Sequence, residues 1–412
     1  MKLLYQPHID GLRALAVLAV IIYHLEIKFF NFILLPGGFL GVDIFFVISG
    51  YLISIIILQE LKIKKGKFSF LNFYQRRARR IFPALFAVMF LTMPFIFYFV
   101  TPNFLIEVSK SIISSLFFLS NYYFWSLGHG YDQLQFVAFQ PFLHTWSLSV
   151  EEQFYLLFPV VIYFFYFLRK RIIFFFFCAL VITLLISNYF STTHASFNFY
   201  SLSSRIWQLL MGIILANFEF YSGQNQKNFL SFLFAPLGFL LIIFSFIFYN
   251  DKMFLPSMAS LPALIGACLI IYYKNRNELI TKFLSTKLLV GLGLMSYSLY
   301  LWHYPIIIIF KNLNSYYLSI LIFLLSLITY FFIEIPFRKK KNHYFYNLKF
   351  LLIFFIIILF INIVIILNNG FYNPSKYPKI ISELIDVKIK NNDLEKDVNI
   401  YDKKKKKYLY RW

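Results

Sequence analysis

Charge is what this chain has least of. Only 14% of its 412 residues are Asp, Glu, Lys or Arg, against roughly 25% in soluble globular domains, and a soluble enzyme is thereby excluded. Acidic residues are scarcer still, 18 against 39 Lys and Arg, which leaves a formal charge of +21. Cysteine is nearly absent: Cys178 and Cys268 lie in apolar runs with no neighbours at metal or redox spacing, so they read as packing residues and no metal site is expected. The N-terminal apolar run lacks a small-residue cleavage site and carries Arg13 and His24. It reads as a retained first helix and not as a signal peptide.

What is present is apolar surface. The chain is 60% hydrophobic and 22% aromatic, with 56 Phe and 30 Tyr. A buried core cannot absorb that much, but a bilayer can, because lipid solvates Phe and Ile on the outside of helices as well as between them. The expected fold is therefore an all-α polytopic membrane protein. Its positive charges sit in short clusters between apolar segments, as cytoplasmic loops require, and this distribution argues against nucleic-acid binding. The Phe, Ile, Lys, Asn and Tyr excess resembles the residue choice of an AT-rich gene, so Phe stripes are lipid-facing by default.

Requiring roughly 20 apolar residues per span gives candidates near 12–30, 39–61, 81–100, 105–126, 147–168, 172–190, 204–220, 229–249, 256–273, 288–310, 317–336 and 349–367. The clusters Lys62 to Arg80, Arg169 to Arg171, Lys274 to Arg276 and Arg338 to Lys341 should all be cytoplasmic. With the N-terminus inside, they are so only if 105–126 does not cross. That segment is also the most polar candidate, holding Glu107, Lys110, six serines and Asn121. It reads as re-entrant or interfacial. The expected organisation is a ten-span domain over 1–340, an eleventh helix over 341–367, and an extracytoplasmic tail over 368–412. The tail ends in a five-lysine run, Lys403 to Lys407, followed by YLYRW. Either it is a disordered tail or the lysine run marks a frame truncated before an exported domain.

Polar residues inside apolar runs carry the chemistry. Arg13 and His24 are eleven residues apart, which places them on one helix face about 16 Å apart. A charge within a span is costly and usually faces a bundle interior or a wet cavity. The alternatives are a snorkelling anchor for Arg13 and a structural hydrogen bond for His24. In GGFLGVDIFFVISGYLIS, Asp43 can pair with Arg13 or His24 or cap its helix, while Gly41 and Gly50 permit close helix approach. In PFLHTWSLSVEEQFYLLFP, the adjacent Glu151 and Glu152 are expensive at a membrane helix and, beside His144, Trp146 and Ser147, suggest a polar pocket. In GLGLMSYSLYLWHYPI, Ser296, Tyr300 and His303 form a polar stripe at i, i+4 and i+7, next to Tyr297. The run Arg76, Arg77, Arg79, Arg80 concentrates four guanidiniums suited to phosphate, though positive-inside anchoring explains such a run equally well.

Taken together, HIDGLRALAVLAVIIYHL, GGFLGVDIFFVISGYLIS, RRARRIFPAL, HTWSLSVEEQFYLLFP, SRIWQLLMG, SYSLYLWHYPI and FFIEIPFRK resemble the successive motifs of the membrane acyltransferase family 3, in the same order over residues 5–340. The eleventh helix resembles the subfamily fused to a periplasmic SGNH domain, here without that domain. The resemblance implies transfer of an acyl group, commonly acetyl from acetyl-CoA, onto an extracytoplasmic glycan such as O-antigen or lipopolysaccharide, in a bacterial inner membrane. It implies activity-bearing roles for Arg13 and His24 and for the paired arginines Arg79 and Arg80. Gln208 departs from a pattern that usually has glutamate. The expected arrangement has the phosphates of acyl-CoA at Arg76, Arg77, Arg79 and Arg80, and His24 acting on the sugar hydroxyl. Asp43, Glu151 or Glu152 orients the imidazole, and His144, Trp146, Ser147, Ser296, Tyr297, Tyr300 and His303 line the substrate pocket. The implied partners are the acyl-CoA donor, the glycan, the bilayer and a separate periplasmic acyl-transfer protein. Two other functions compete with this one: a transporter or flippase of an envelope precursor, and an inactive remnant.

Overall fold

The computed structural model describes residues 5–30, 32–128, 139–222, 229–338 and 344–371. Lys339 to Lys341 and almost all of the expected tail, including the five-lysine run, lie outside the described residues. Among the described residues the chain is helical but for a short hairpin pairing Lys28–Phe29 with Phe32–Ile33. It is an all-α polytopic protein, with seven helices among the described residues long and apolar enough to cross a membrane and an eighth crossing if a bent pair counts as one.

The helices are α1 Pro7–His24, α2 Gly41–Ile63, α3 Phe70–Phe99, α4 Pro102–Leu116, α5 Ser120–Ser126, α6 Thr145–Phe165, α7 Arg171–Thr193, α8 Ala195–Tyr200 and α9 Leu202–Ser222. After them come α10 Ser231–Phe248, α11 Leu261–Tyr272, α12 Leu279–Leu284, α13 Lys287–Leu294, α14 Ser296–Ile309, α15 Ser315–Thr329, α16 Ile335–Arg338 and α17 Tyr344–Leu367. The expected spans fall on α1, α2, α3, α6, α7, α9, α10, α11, the bent pair α13 and α14, α15 and α17. Segment 105–126 folds as α4 and α5, and neither is among the helices long enough to cross. The two are hydrogen-bonded onto α6: Ser115 Oγ and Thr145 Oγ1 are 2.7 Å apart, as are Ser120 Oγ and Ser149 Oγ, and Gln153 donates to the Phe118 carbonyl at 2.8 Å.

Two pairs of helices pack unusually close at the centre. A Cβ on Gly50 would stand 2.1 Å from the Leu209 carbonyl oxygen, and one on Gly212 would stand 2.0 Å from that of Val47, so α2 and α9 cross backbone to backbone. Only glycine at both positions allows that approach. Gly293 plays the same part for α13 against α1, where a Cβ would meet the Asp10 oxygen at 1.8 Å. The consequence is positional: α1, α2 and α9 are buried in a sleeve of other helices. Lipid therefore reaches little of them, and they can carry polar side chains.

Candidate active site

Three histidines meet at one level of the bundle. His24 ends α1, His303 lies in α14, and His144 precedes the first residue of α6. The His303 ring is 5.2 Å from that of His24 and 5.4 Å from that of His144, centroid to centroid. Tyr304 packs edge-on to His24 at 5.3 Å. Two of the rings have their tautomer fixed by local geometry. His24 Nδ1 is 2.9 Å from the Val20 carbonyl and His303 Nδ1 is 2.6 Å from that of Tyr300. A carbonyl can only accept, so each Nδ1 carries the proton and each Nε2 is the basic atom. Tyr300 closes the level, donating to the His144 carbonyl at 2.9 Å. It also lies 2.5 Å from Ser147 Oγ, in a hydroxyl pair where either can donate, and Ser147 reaches the same carbonyl at 3.2 Å.

About two helical turns further along α6, Glu151 accepts from Ser49 of α2 and from Tyr155 of its own helix. Glu152 is half-buried, with one buried oxygen that has no hydrogen-bond donor among the described residues, and Arg77 and Arg80 are its cationic neighbours. Tyr297 donates to the Ile81 carbonyl at 2.9 Å and faces the same carboxylates.

Cations dominate the far end. Arg77 lies over the Tyr155 ring at 4.8 Å. Arg13 pairs with Asp10 one turn earlier in α1 at 2.9 Å, with Arg80 as its cationic neighbour. Glu334 lies at the end of a π-helical turn, Tyr330–Glu334, where it accepts from Ser298 and Arg338. Histidines and arginines are thus two ends of one polar column, joined by the carboxylates. Arg13 to His24 along α1, and His144 to Tyr155 along α6, each measure about 16 Å at the helical rise.

Several sequence expectations are corrected by this geometry. Asp43 pairs with neither Arg13 nor His24: its partner is Arg205 of α9, at 2.8 Å, with both side chains almost wholly buried. The close α2–α9 crossing brings the two together. Arg205 also donates to the Phe199 carbonyl at 2.5 Å and lies over the Trp146 and Phe199 rings at 4.6 and 4.7 Å. Trp146 accordingly packs against this ion pair and not on the histidine level. Glu151 is engaged by Ser49 and Tyr155, and His24 Nδ1 by a carbonyl, so no carboxylate orients the His24 imidazole through Nδ1. The four clustered guanidiniums do not converge. Arg77 and Arg80 face the column, Arg79 is buried with Nε on the Gln75 carbonyl at 3.3 Å, and Arg76 is exposed and paired with Glu60 at 3.3 Å. Ser296 is buried at the start of α14. Among the described residues no three His, Cys, Asp or Glu side chains are placed to hold a metal ion.

Sequence reasoning passed over Ser49, Arg205 and Glu334. A lone arginine and a lone glutamate inside apolar runs were the available signals for the last two. Ser49 offered none, because serine is common in membrane helices.

A protein-family model described as an acyltransferase domain matches residues 7–333. The O-acetyltransferase OatA of Staphylococcus aureus strain NCTC 8325 / PS 47 is 34% identical over 365 residues, covering 82% of this chain and 58% of the relative. OatA from strains COL and MRSA252 matches to the same extent. The chain thus spans less than two thirds of the length of these relatives. No solved structure matches.

Proposed function

This chain belongs to the acyltransferase family, and we propose that it moves an acetyl group from cytoplasmic acyl-CoA to a hydroxyl of an extracytoplasmic cell-envelope glycan, of the kind found in O-antigen or lipopolysaccharide. One observation carries the reading. A polar column runs through an otherwise apolar bundle, with arginines at one end and basic imidazole nitrogens about 16 Å away along α1 at the other. The names of the S. aureus relatives support O-acetylation as the chemistry.

Arg77, Arg80 and Arg13 supply cationic donors for the CoA phosphates at the inner end, with Arg76 at the rim. The pantetheine arm spans a length comparable to the column, so its thioester reaches the histidine level. There His24 Nε2 removes the proton from the acceptor hydroxyl as that oxygen attacks the acetyl carbonyl. The new C–O bond forms, the C–S bond breaks, and CoA leaves as the thiol.

The test is acetyl transfer from radiolabelled acetyl-CoA to envelope polysaccharide in proteoliposomes, with His24→Ala beside the wild type. The variant should insert normally and lose transfer by about two to four orders of magnitude. Retained transfer removes His24 from the chemistry, and the absence of any CoA release in the wild type removes the acyltransferase reading itself.

A further inference from the structure

His303 is the residue whose surroundings the reaction above leaves unexplained. It is wholly buried, its Nδ1 is committed to the Tyr300 carbonyl, and its Nε2 has no hydrogen-bond partner among the described residues. An unsatisfied buried nitrogen costs on the order of 1–3 kcal/mol, so such an atom calls for a donor that arrives with the substrates. The groups that act on it electrostatically are His24 from α1 and His144 from α6, and Tyr300 and Tyr304 of its own helix pack against its ring. None of these is a carboxylate or a permanent cation, so a proton passing through the imidazole breaks no ion pair.

A stoichiometric need meets this vacant base. In the transfer proposed above, a proton leaves the sugar hydroxyl on one side of the acetyl carbon and a thiolate departs on the other. One imidazole can do both in turn only by facing both atoms, and a second imidazole beside His24 divides the two tasks. With ring centroids 5.2 Å apart, His24 and His303 stand side by side, close enough to pass a proton from one to the other.

We propose that His303 is a catalytic residue, the proton carrier that receives from His24 and protonates the leaving CoA thiolate; this rests on the acyltransferase reading. The proton passes from the hydroxyl to His24 Nε2, from there to His303 Nε2, and from His303 to sulfur. The C–O bond forms as the C–S bond breaks. Both imidazoles end neutral, so nothing beyond glycan and thioester is consumed.

The experiment compares two donors on purified protein in proteoliposomes with isolated envelope polysaccharide as acceptor. One is acetyl-CoA; the other is S-(4-nitrophenyl) thioacetate, whose thiolate departs without a proton. His303→Asn keeps a donor for the Tyr300 carbonyl and removes the base. It should lower kcat with acetyl-CoA at least 100-fold, with KM for the donor within threefold, and fall less than fivefold with the aryl thioester. His24→Asn should fail with both donors. Equal losses of His303→Asn on both donors, or a kcat with acetyl-CoA within threefold of wild type, overturn the proposal while leaving the parent reading intact. Full activity of His24→Asn on both donors also overturns the proposal, by removing the base that feeds the relay, whereas absence of transfer by the wild type from both donors overturns the parent reading. Elution of His303→Asn as a monodisperse peak with wild-type thermal midpoint secures that the loss is chemical. A variant that fails this check is replaced by His303→Gln, judged by the same two ratios.

Discussion

Helices α2 and α17 are both long and apolar, yet 78% of the central stretch of the first is buried and only 22% of the second. The contrast widens with α1 and α9. Neither is among the helices that composition marks as membrane spans, because Asp10, Arg13, Arg205 and Glu219 interrupt them, and both lie at the centre of the bundle. Hydropathy therefore recognises best the helices that do least. A lipid-facing helix must be apolar all round, whereas one sheathed by other helices needs only partners for its polar groups.

The largest way to break this comparison is to force the central helices apart. Gly212→Val places a side chain where even a Cβ would stand 2.0 Å from the Val47 oxygen. No rotamer avoids that backbone contact, so little folded protein should survive detergent extraction, read as loss of the monodisperse peak on size-exclusion chromatography. A folded Gly212→Val protein with normal stability would mean that α2 and α9 do not cross this closely.

Next comes the pair that the crossing buries. Arg205→Ala leaves the Asp43 carboxylate unpaired where both side chains are at most 7% exposed. Breaking such a pair costs about 3–5 kcal/mol. The double variant Asp43→Ala with Arg205→Ala should be more stable than Arg205→Ala alone, since no charge is then left uncompensated. Thermal unfolding in detergent ranks the variants, and additive losses would show that the two residues are not coupled. A smaller effect is expected in the column. Tyr155→Phe removes one of two donors to Glu151, worth about 1.5–3 kcal/mol for a charged acceptor, and the same measurement detects it.

How much of this was legible beforehand follows from the same contrast. The helical, membrane-spanning character and most spans follow from apolar run length, because lipid imposes that requirement locally, residue by residue. The eleven-residue spacing of Arg13 and His24 gave one face of one helix for the same reason. Partner choice did not follow. Asp43 met Arg205, 162 positions away in sequence, because glycines at 50 and 212 let two backbones touch, and nothing in either motif states which helix its glycine faces. The arginine run failed in another way: four guanidiniums adjacent in sequence point around a helix, so contiguity promised a cluster that helical geometry divides between the column, the interior and the exposed Glu60 pair. The meeting of His24, His144 and His303 needed three helices at one height, which periodicity within any one of them cannot supply.

The smallest expected effect tests the other side of the comparison. Phe360 on α17 is 65% exposed, and in a helix whose central stretch is only 22% buried that exposure faces lipid tails. Phe360→Leu exchanges one apolar side chain for another in a solvent that is apolar itself, so neither transfer energy nor packing changes much. The shift should stay within about 0.5 kcal/mol, as for substitutions away from packed features, with acetyl transfer unchanged. A loss above about 1 kcal/mol would mean that this face of α17 is covered by protein and not by lipid. The division between a sheathed chemical centre and a solvating outer ring would then have to be redrawn with α17 inside it.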